Sequence, residues 1–357
     1  MKKVEEKELL RLLGREPIMP EMGAALEALR GRRILVTGAG GSIGSELSRQ
    51  LAGVEGIELC LIDQAETPLH ELSLRIPQGR FEIANCCDGA EMERIFADFR
   101  PEIVFHAAAY KHVPMMERCP RAAIVNNVGS TKILADLSSR YGVERFVMVS
   151  TDKAVNPTNI MGASKRACEL YVQSHPGPTR FVTTRFGNVL GSNGSVVPLF
   201  LEQLESGGPL TVTHRDVVRY FMLISEACAL VILAALIGSG GEIFVFDMGQ
   251  PVRIADLARR IIALWGRGHE RISYIGLRPG EKLYEEILTS DELTLPGPHP
   301  LLKIARVRPA IYAEVMPAIE NLLQAARTTD SEAVKALKRL VPEFKSKNSP
   351  FEKYDAE

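Results

Sequence analysis

The sequence predicts an α/β fold, a doubly wound parallel sheet with a smaller C-terminal lobe, and three observations predict it. Short apolar runs of strand length alternate with stretches of helical period from residue 31 onward. A glycine-rich turn joins the first strand of that alternation to its first helix. Beyond Gly191 the alternation gives way to Gly/Pro-rich loops and isolated helices. Strands alternating with helices call for right-handed crossovers, and hence for a parallel sheet covered on both faces.

Taken in order, residues 1–30 read as a helical extension, with Leu9, Leu10, Leu12 and Leu13 ahead of a break between Pro17 and Pro20. Arg33–Thr37 is a buried-strand run, Ser42–Ala52 carries helical periodicity, and 57–62 is a second strand ending at Asp63. Further strands are expected at 81–84, 103–106, 146–150, 181–185 and 243–247. A long helix is expected over 120–141: Pro120 suits its first turn, Ile124 and Val128 lie a turn apart, and Gly142 suits the position just past its end. Another is expected over 226–237 behind Ser225 as N-cap. The sheet-forming half is therefore placed at 31–190, with 226–248 returning to it. The lobe takes 191–225 and 249–328, and a charged helix and tail take 329–357.

Composition narrows the function. Apolar residues make up 46% and charged residues 24%, which excludes a disordered chain. Forty-three Lys and Arg offset 44 Asp and Glu, so no net field draws the chain to nucleic acid or anionic lipid. The apolar run from Ala227 to Ile237 is far short of the ~20 residues that cross a bilayer. The charged start, Met1 to Lys7, has no apolar stretch to make a secretion signal. Six cysteines without C-x-x-C spacing read as reduced thiols, and no histidine pattern suggests a metal. A cytoplasmic, metal-free protein is expected.

Thr37-Gly38-Ala39-Gly40-Gly41-Ser42-Ile43-Gly44 follows a strand and opens a helix. Glycines let the backbone approach a pyrophosphate, and the helix N-terminus offers free N–H groups and a positive dipole end. Asp63 lies at the end of the second strand, where a carboxylate accepts from ribose hydroxyls and repels a 2′-phosphate; with Gln64 beside it and no arginine, NAD is favoured over NADP. The spacing Gly38-x-x-Gly41-x-x-Gly44 is similar to that of short-chain dehydrogenase/reductase proteins, especially the extended group that acts on nucleotide sugars, and implies a Rossmann-like, NAD-binding fold. His106-Ala107-Ala108-Ala109-Tyr110 resembles that group's segment beside the cofactor. Where relatives have Asp-Val at the adenine, this chain has Asn85-Cys86, whose amide oxygen can accept from the adenine amino group.

Val149-Ser150-Thr151-Asp152-Lys153 ends a strand, at the sheet edge where open α/β sheets bind ligands. Extended dehydrogenases show Tyr-x-x-x-Lys a little further on, and here Lys165 is present but Met161 stands in the tyrosine position. A thioether cannot take a proton. Thr151-Asp152-Lys153 resembles the signature of UDP-N-acetylhexosamine 4,6-dehydratases, and the methionine resembles one branch, the catalytic domains of often membrane-anchored dehydratases that feed bacterial polysaccharide and glycoprotein pathways. The likeness runs from about Leu12 to Leu288 and includes the segments Arg185 to Pro198, Arg219 to Met222 and Gly276 to Lys282.

This resemblance implies NAD-dependent, redox-neutral dehydration of UDP-N-acetylglucosamine to a 4-keto-6-deoxy sugar nucleotide. It implies that Asp152 takes the C4 hydroxyl proton or protonates the departing C6 hydroxyl. Lys153 handles the C5 proton, with burial lowering its pKa toward neutrality. Thr151 bonds the C4 oxygen and Lys165 holds the nicotinamide ribose. For the UDP-N-acetylhexosamine it implies diphosphate contacts from Arg219 and Arg278, a phosphate or uridine contact from Asn188, a uracil-facing segment at Ser195 and Val196, and a sugar contact from Lys111. Self-association is expected, as is either a natural soluble form or the soluble part of a membrane-anchored relative. The alternatives are a 4-epimerase of the same superfamily and a non-catalytic regulator that senses NAD or nucleotide sugars.

Overall fold

The seven apolar runs become strands of one nine-stranded mixed sheet in the structure, a computed structural model that describes residues 6–267, 269–286, 293–307 and 309–355. The charged start (residues 1–5) and the end of the likeness at Leu288 lie outside the described residues. The strands are β1 (Arg33–Thr37), β2 (Glu58–Asp63), β3 (Arg80–Ile83), β4 (Ile103–His106), β5 (Arg145–Val149), β6 (Arg180–Arg185), β7 (Ile243–Phe246), β8 (Leu293–His299) and β9 (Leu302–Arg306). Their order is β8-β9-β7-β6-β5-β4-β1-β2-β3. β1 pairs in parallel with both β2 and β4, so the chain reverses its winding there and leaves a crevice above the carboxyl ends of β1 and β4.

Alternation along the strands builds a core on each face. Leu35, Val104, Phe146 and Met148 point to a cluster closed by helices Ile160–Ser174, Tyr312–Ala325 and Asp330–Leu340. Ile34, Val36, Phe105 and Val147 point the other way, toward helices Ser42–Ala52 and Ile224–Ile237. A third cluster, around Phe200, Leu210, Leu257 and Ile261, is the core of the lobe, and Leu9, Leu12 and Leu13 of the N-terminal helix complete it.

Three features differ from the sequence expectation. Residues 293–306, assigned to the lobe, extend the sheet as β8 and β9; β9 runs antiparallel to β7 and covers an edge that would otherwise expose unpaired backbone groups. Helix Tyr312–Ala325 follows them onto the sheet through Val315, Ile319 and Leu322. The helix expected over 120–141 opens as Pro120–Ala123, widens to π geometry over Ile124–Gly129 and resumes as Ser130–Arg140. Ser225 is not an N-cap: the helix begins at Ile224, and Glu226 reaches back to accept from Leu223 N at 2.6 Å while also holding Arg15 at 2.7 Å. No helix among the described residues is long and apolar enough to cross a membrane.

Two ties fix the elements around the crevice. Glu169, fully buried, accepts from Ser150 Oγ (2.7 Å), Arg185 Nε (2.8 Å), Arg185 Nη2 (2.6 Å) and Arg166 Nη1 (3.2 Å), joining the ends of β5 and β6 to helix Ile160–Ser174. Near the other end of the chain, Lys345 N donates to Pro157 O, Lys347 N to Thr158 O, and Gly280 N to Lys347 O at 2.7 Å. Residues 345–347 thereby stitch the loop before helix Ile160–Ser174 to the loop at 278–282. Glu169→Ala removes the buried carboxylate that Ser150, Arg166 and Arg185 share and is expected to cost about 3–5 kcal/mol in chemical denaturation.

Candidate active site

A cavity of about 830 Å³ lies between the carboxyl edge of the sheet and the lobe. On its sheet side Gly38 turns at φ +66°, where a Cβ would lie 2.7 Å from the backbone of Ala108. Helix Ser42–Ala52 starts at Gly41 without a side-chain cap, leaving its N-terminal dipole to the cavity that Gly41, Ser42, Ile43 and Gly44 line. Backbone this close and a helix end this bare fit a dinucleotide pyrophosphate. Asp63 orders the turn, accepting from Gly40 N and Ala65 N, each at 2.9 Å. It faces an adjoining cavity of about 140 Å³ together with Gln64, Asn85, Cys86 and Ala107 to Ala109. The Asn85 oxygen, expected to meet adenine, accepts from Cys87 N at 2.9 Å, which fixes the side chain at the cavity wall and leaves the oxygen a second lone pair. Burial pushes the Cys86 thiol up to about 12 and keeps it protonated.

After β5, Thr151 caps a single 3₁₀ turn, Asp152–Ala154, and donates to Asp152 Oδ1 at 2.9 Å. Lys153 Nζ donates to the same oxygen at 2.9 Å and to Asn188 Oδ1 at 3.2 Å. Thr151, Lys153, Met161 and Lys165 line the cavity, whereas Asp152 is fully buried one layer behind Lys153 with its Oδ2 unpartnered. The pKa of Lys153 departs from expectation. Burial lowers it, but the Asp152 and then the Glu285 carboxylates outweigh burial and hold it above the ordinary lysine value. Lys153 therefore rests as an ammonium.

Helix Ile160–Ser174 presents Met161 and Lys165 on one face, a turn apart. Lys165 is buried, makes no hydrogen bond among the described residues, and is lowered by burial against the pull of Cys168 and Glu169. A buried lysine with no hydrogen-bond partner among the described residues, at the rim of a dinucleotide cradle, is placed to meet hydroxyl groups. Gly162 lets this helix meet the Asp152 turn, since a Cβ there would lie 2.1 Å from Lys153 O.

The lobe side brings together the remaining predicted residues with unequal freedom. Arg219 is buried and committed: Nη2 donates to Lys282 O at 2.8 Å and Glu281 Oε1 at 3.3 Å, and Nη1 to Val218 O at 2.7 Å. Arg278 lines the cavity, is exposed, and its guanidinium has no partner among the described residues, which leaves it the open cation for a diphosphate. Asn188, expected on phosphate or uridine, lines the cavity and accepts from Lys153 Nζ through its amide oxygen. Ser195 begins helix Val196–Glu205 with its Oγ buried and unpartnered at the cavity wall. Val196 lies beside it, and Lys111 crosses to Asn193 O at 2.8 Å.

Comparison with known proteins places this geometry. A family model described as polysaccharide biosynthesis protein matches residues 34–306. The chain belongs to that family. The capsular polysaccharide biosynthesis protein CapD of Staphylococcus aureus is 44% identical over 335 residues, covering 90% of this chain and 55% of that protein, so the chain spans about half its length. A UDP-glucose 4-epimerase of Rickettsia conorii is 33% identical over 273 residues, 73% of this chain and 79% of that one. Among solved structures, Pen from Bacillus thuringiensis superposes with TM-score 0.73 at 29% identity, over 80% of this chain and 92% of that one. The UDP-glucose 4-epimerase of Thermus thermophilus, solved with NAD, gives TM-score 0.63 at 25% identity, over 72% and 90%.

This family member also uses residues that sequence reasoning missed. Asn127, buried in the π segment, accepts from Tyr110 N at 2.8 Å and donates to Tyr110 O and to Ser164 Oγ, fastening the Ala107–Ala109 segment to the helix of Lys165. Its one sequence signal is an Asn pair inside an otherwise apolar helical run. His106, pushed down to about 3 by burial and then by Lys165, bridges neutrally between Thr37 Oγ1 (2.8 Å) and Thr131 Oγ1 (3.1 Å). Gly162→Ala forces the helix and the Asp152 turn apart and is expected to lose about 1–3 kcal/mol in urea denaturation, with the added stabilisation by NAD retained in a thermal-shift series.

Proposed function

We propose that this chain is an NAD-dependent lyase that converts UDP-N-acetylglucosamine to UDP-2-acetamido-2,6-dideoxy-4-keto-hexose, a sugar nucleotide for bacterial surface polysaccharide or glycoprotein synthesis. One observation carries the reading: Lys153, ion-paired to the buried Asp152, lines the same cavity as Lys165 and as Met161, which stands where an ordinary dehydrogenase has its phenol. NAD, held by the Gly38 to Gly44 turn, Asp63 and Lys165, supplies a reversible hydride acceptor.

Thr151, which lines the cavity and donates to Asp152 at 2.9 Å, takes the C4 hydroxyl proton and passes its own to the buried Asp152 carboxylate as hydride departs from C4. Lys153 then serves C5 and C6: its ammonium protonates the oxygen leaving C6, and the amine takes the C5 proton and later returns it. The proton first held by Asp152 crosses the 2.9 Å contact to Lys153 and restores both groups. Water leaves, hydride moves from C4 to C6, and no net oxidation remains. Thr151 orders the Asp152 carboxylate, and Arg278 with Ser195 receives the UDP portion.

The second reading, a 4-epimerase, is supported by the relatives that bear that name. It returns hydride to C4 and has no need of the Lys153 half of the pair. Mass spectrometry after incubation with UDP-N-acetylglucosamine and NAD separates the two: a product lighter by one water is expected, and an isobaric product would replace this reading with epimerisation. Asp152→Asn and Lys153→Ala should each lower kcat about 10²–10⁴-fold, while Met161→Tyr costs little; near-unchanged rates in both of the first two variants would remove the assignment.

A further inference from the structure

The segment Glu281 to Glu286 sends three carboxylates toward the site, and the sequence reading accounts for none of them. Glu281 meets Thr213 and Arg219, Glu286 meets Asn156 and Lys282, and Glu285 turns inward. A single oxygen of Glu285, Oε1, lies 3.5 Å from Arg219 Nε and 4.0 Å from Lys153 Nζ. Its other oxygen is buried without a hydrogen-bond partner among the described residues, as is Asp152 Oδ2. Arg219 and Lys153 both line the cavity, and Glu285 does not.

We propose that Glu285 is a positioning residue of the reaction, holding Lys153 and Arg219 to one carboxylate oxygen from beneath the cavity. The inference rests on the dehydratase reading and deepens it. Charges that face Lys153 come from three elements: Asp152 on its own turn, Glu285 on the 281–286 segment, and Arg219 opposite, with the Asn188 oxygen as a neutral acceptor. Two carboxylates against one guanidinium favour the ammonium. That is the form the C6 departure consumes first. Glu285 also explains why Arg219 faces inward while Arg278 stays open. Glu281 and Glu285 both occupy the Arg219 guanidinium.

The test uses the whole chain with NAD and two readouts. The first is acetylation of Lys153 by acetic anhydride at fixed pH, followed by mass spectrometry and normalised to the exposed Lys347. Removing one nearby negative charge lowers a lysine pKa by about one unit. Glu285→Gln is therefore expected to acetylate Lys153 about 3- to 10-fold faster than wild type, with Glu285→Asp restoring most of the slow rate. Arg219→Gln, which deletes the opposing cation, moves the rate the other way and is read in the same assay should Glu285→Gln not fold. The second readout is turnover of UDP-N-acetylglucosamine against pH, where Glu285→Gln moves the basic limb to lower pH with KM for the sugar nucleotide little changed. A merely structural Glu285 would lower stability and leave both the labelling rate and the limb in place, and that result overturns the proposal. If wild type forms no dehydrated product, the reaction assignment falls while the labelling arm still decides the role of Glu285.

Discussion

An ammonium and a carboxylate held together at the end of β5, largely out of water, set the terms for the rest of the site. Removing such ions from solvent costs several kcal/mol each, and attraction between them offsets this only where the geometry is tight and further polar groups complete it. The surroundings supply that completion piece by piece. Thr151 donates to the carboxylate, Asn188 accepts from the ammonium, and Gly162 lets a helix approach closely enough to fix the turn. Behind them the Glu169 network holds β5, β6 and the helix in one frame.

The two halves of the molecule contribute different kinds of positive charge. Lys165 belongs to the sheet half and is buried, with no hydrogen-bond partner among the described residues, suited to neutral hydroxyls. The lobe supplies one arginine locked by backbone and carboxylate oxygens and another that is free at the rim. The halves also touch directly. Asn193 N donates to Ser42 Oγ in the first turn of the dinucleotide helix, and Lys111 holds the carbonyl of the same asparagine. The loop that carries Ser195 is thus tied to the glycine turn, so ligands at the two ends of the cavity meet connected backbone.

Much of this was legible in the sequence because it rests on local rules. Buried parallel strands need unbroken apolar runs, and the runs at 33–37, 103–106 and 243–246 announce themselves. A glycine turn between strand and helix, followed by an acid at the next strand end, has few other uses. What stayed hidden depends on distant partners. Residues 293–306 carry Pro and Gly and look like loop, and they become strands because β7 has an open edge. The π segment follows from Asn127 satisfying Tyr110 and Ser164, which no periodicity encodes. The direction of the Lys153 shift follows from Asp152 together with Glu285, the latter far away in sequence, and no local pattern shows that the Asn188 oxygen serves that same lysine.

The stitching of residues 345–347 to Pro157, Thr158 and Gly280 has a bearing on biosynthesis. Chains emerge from the ribosome N-terminus first and their units begin to pack as they appear. The glycine turn, its strands and its helix can settle early. The loops that frame the sugar end wait for backbone made long after the Asp152 turn, so a nascent chain can hold a nucleotide cradle well before its chemistry is assembled.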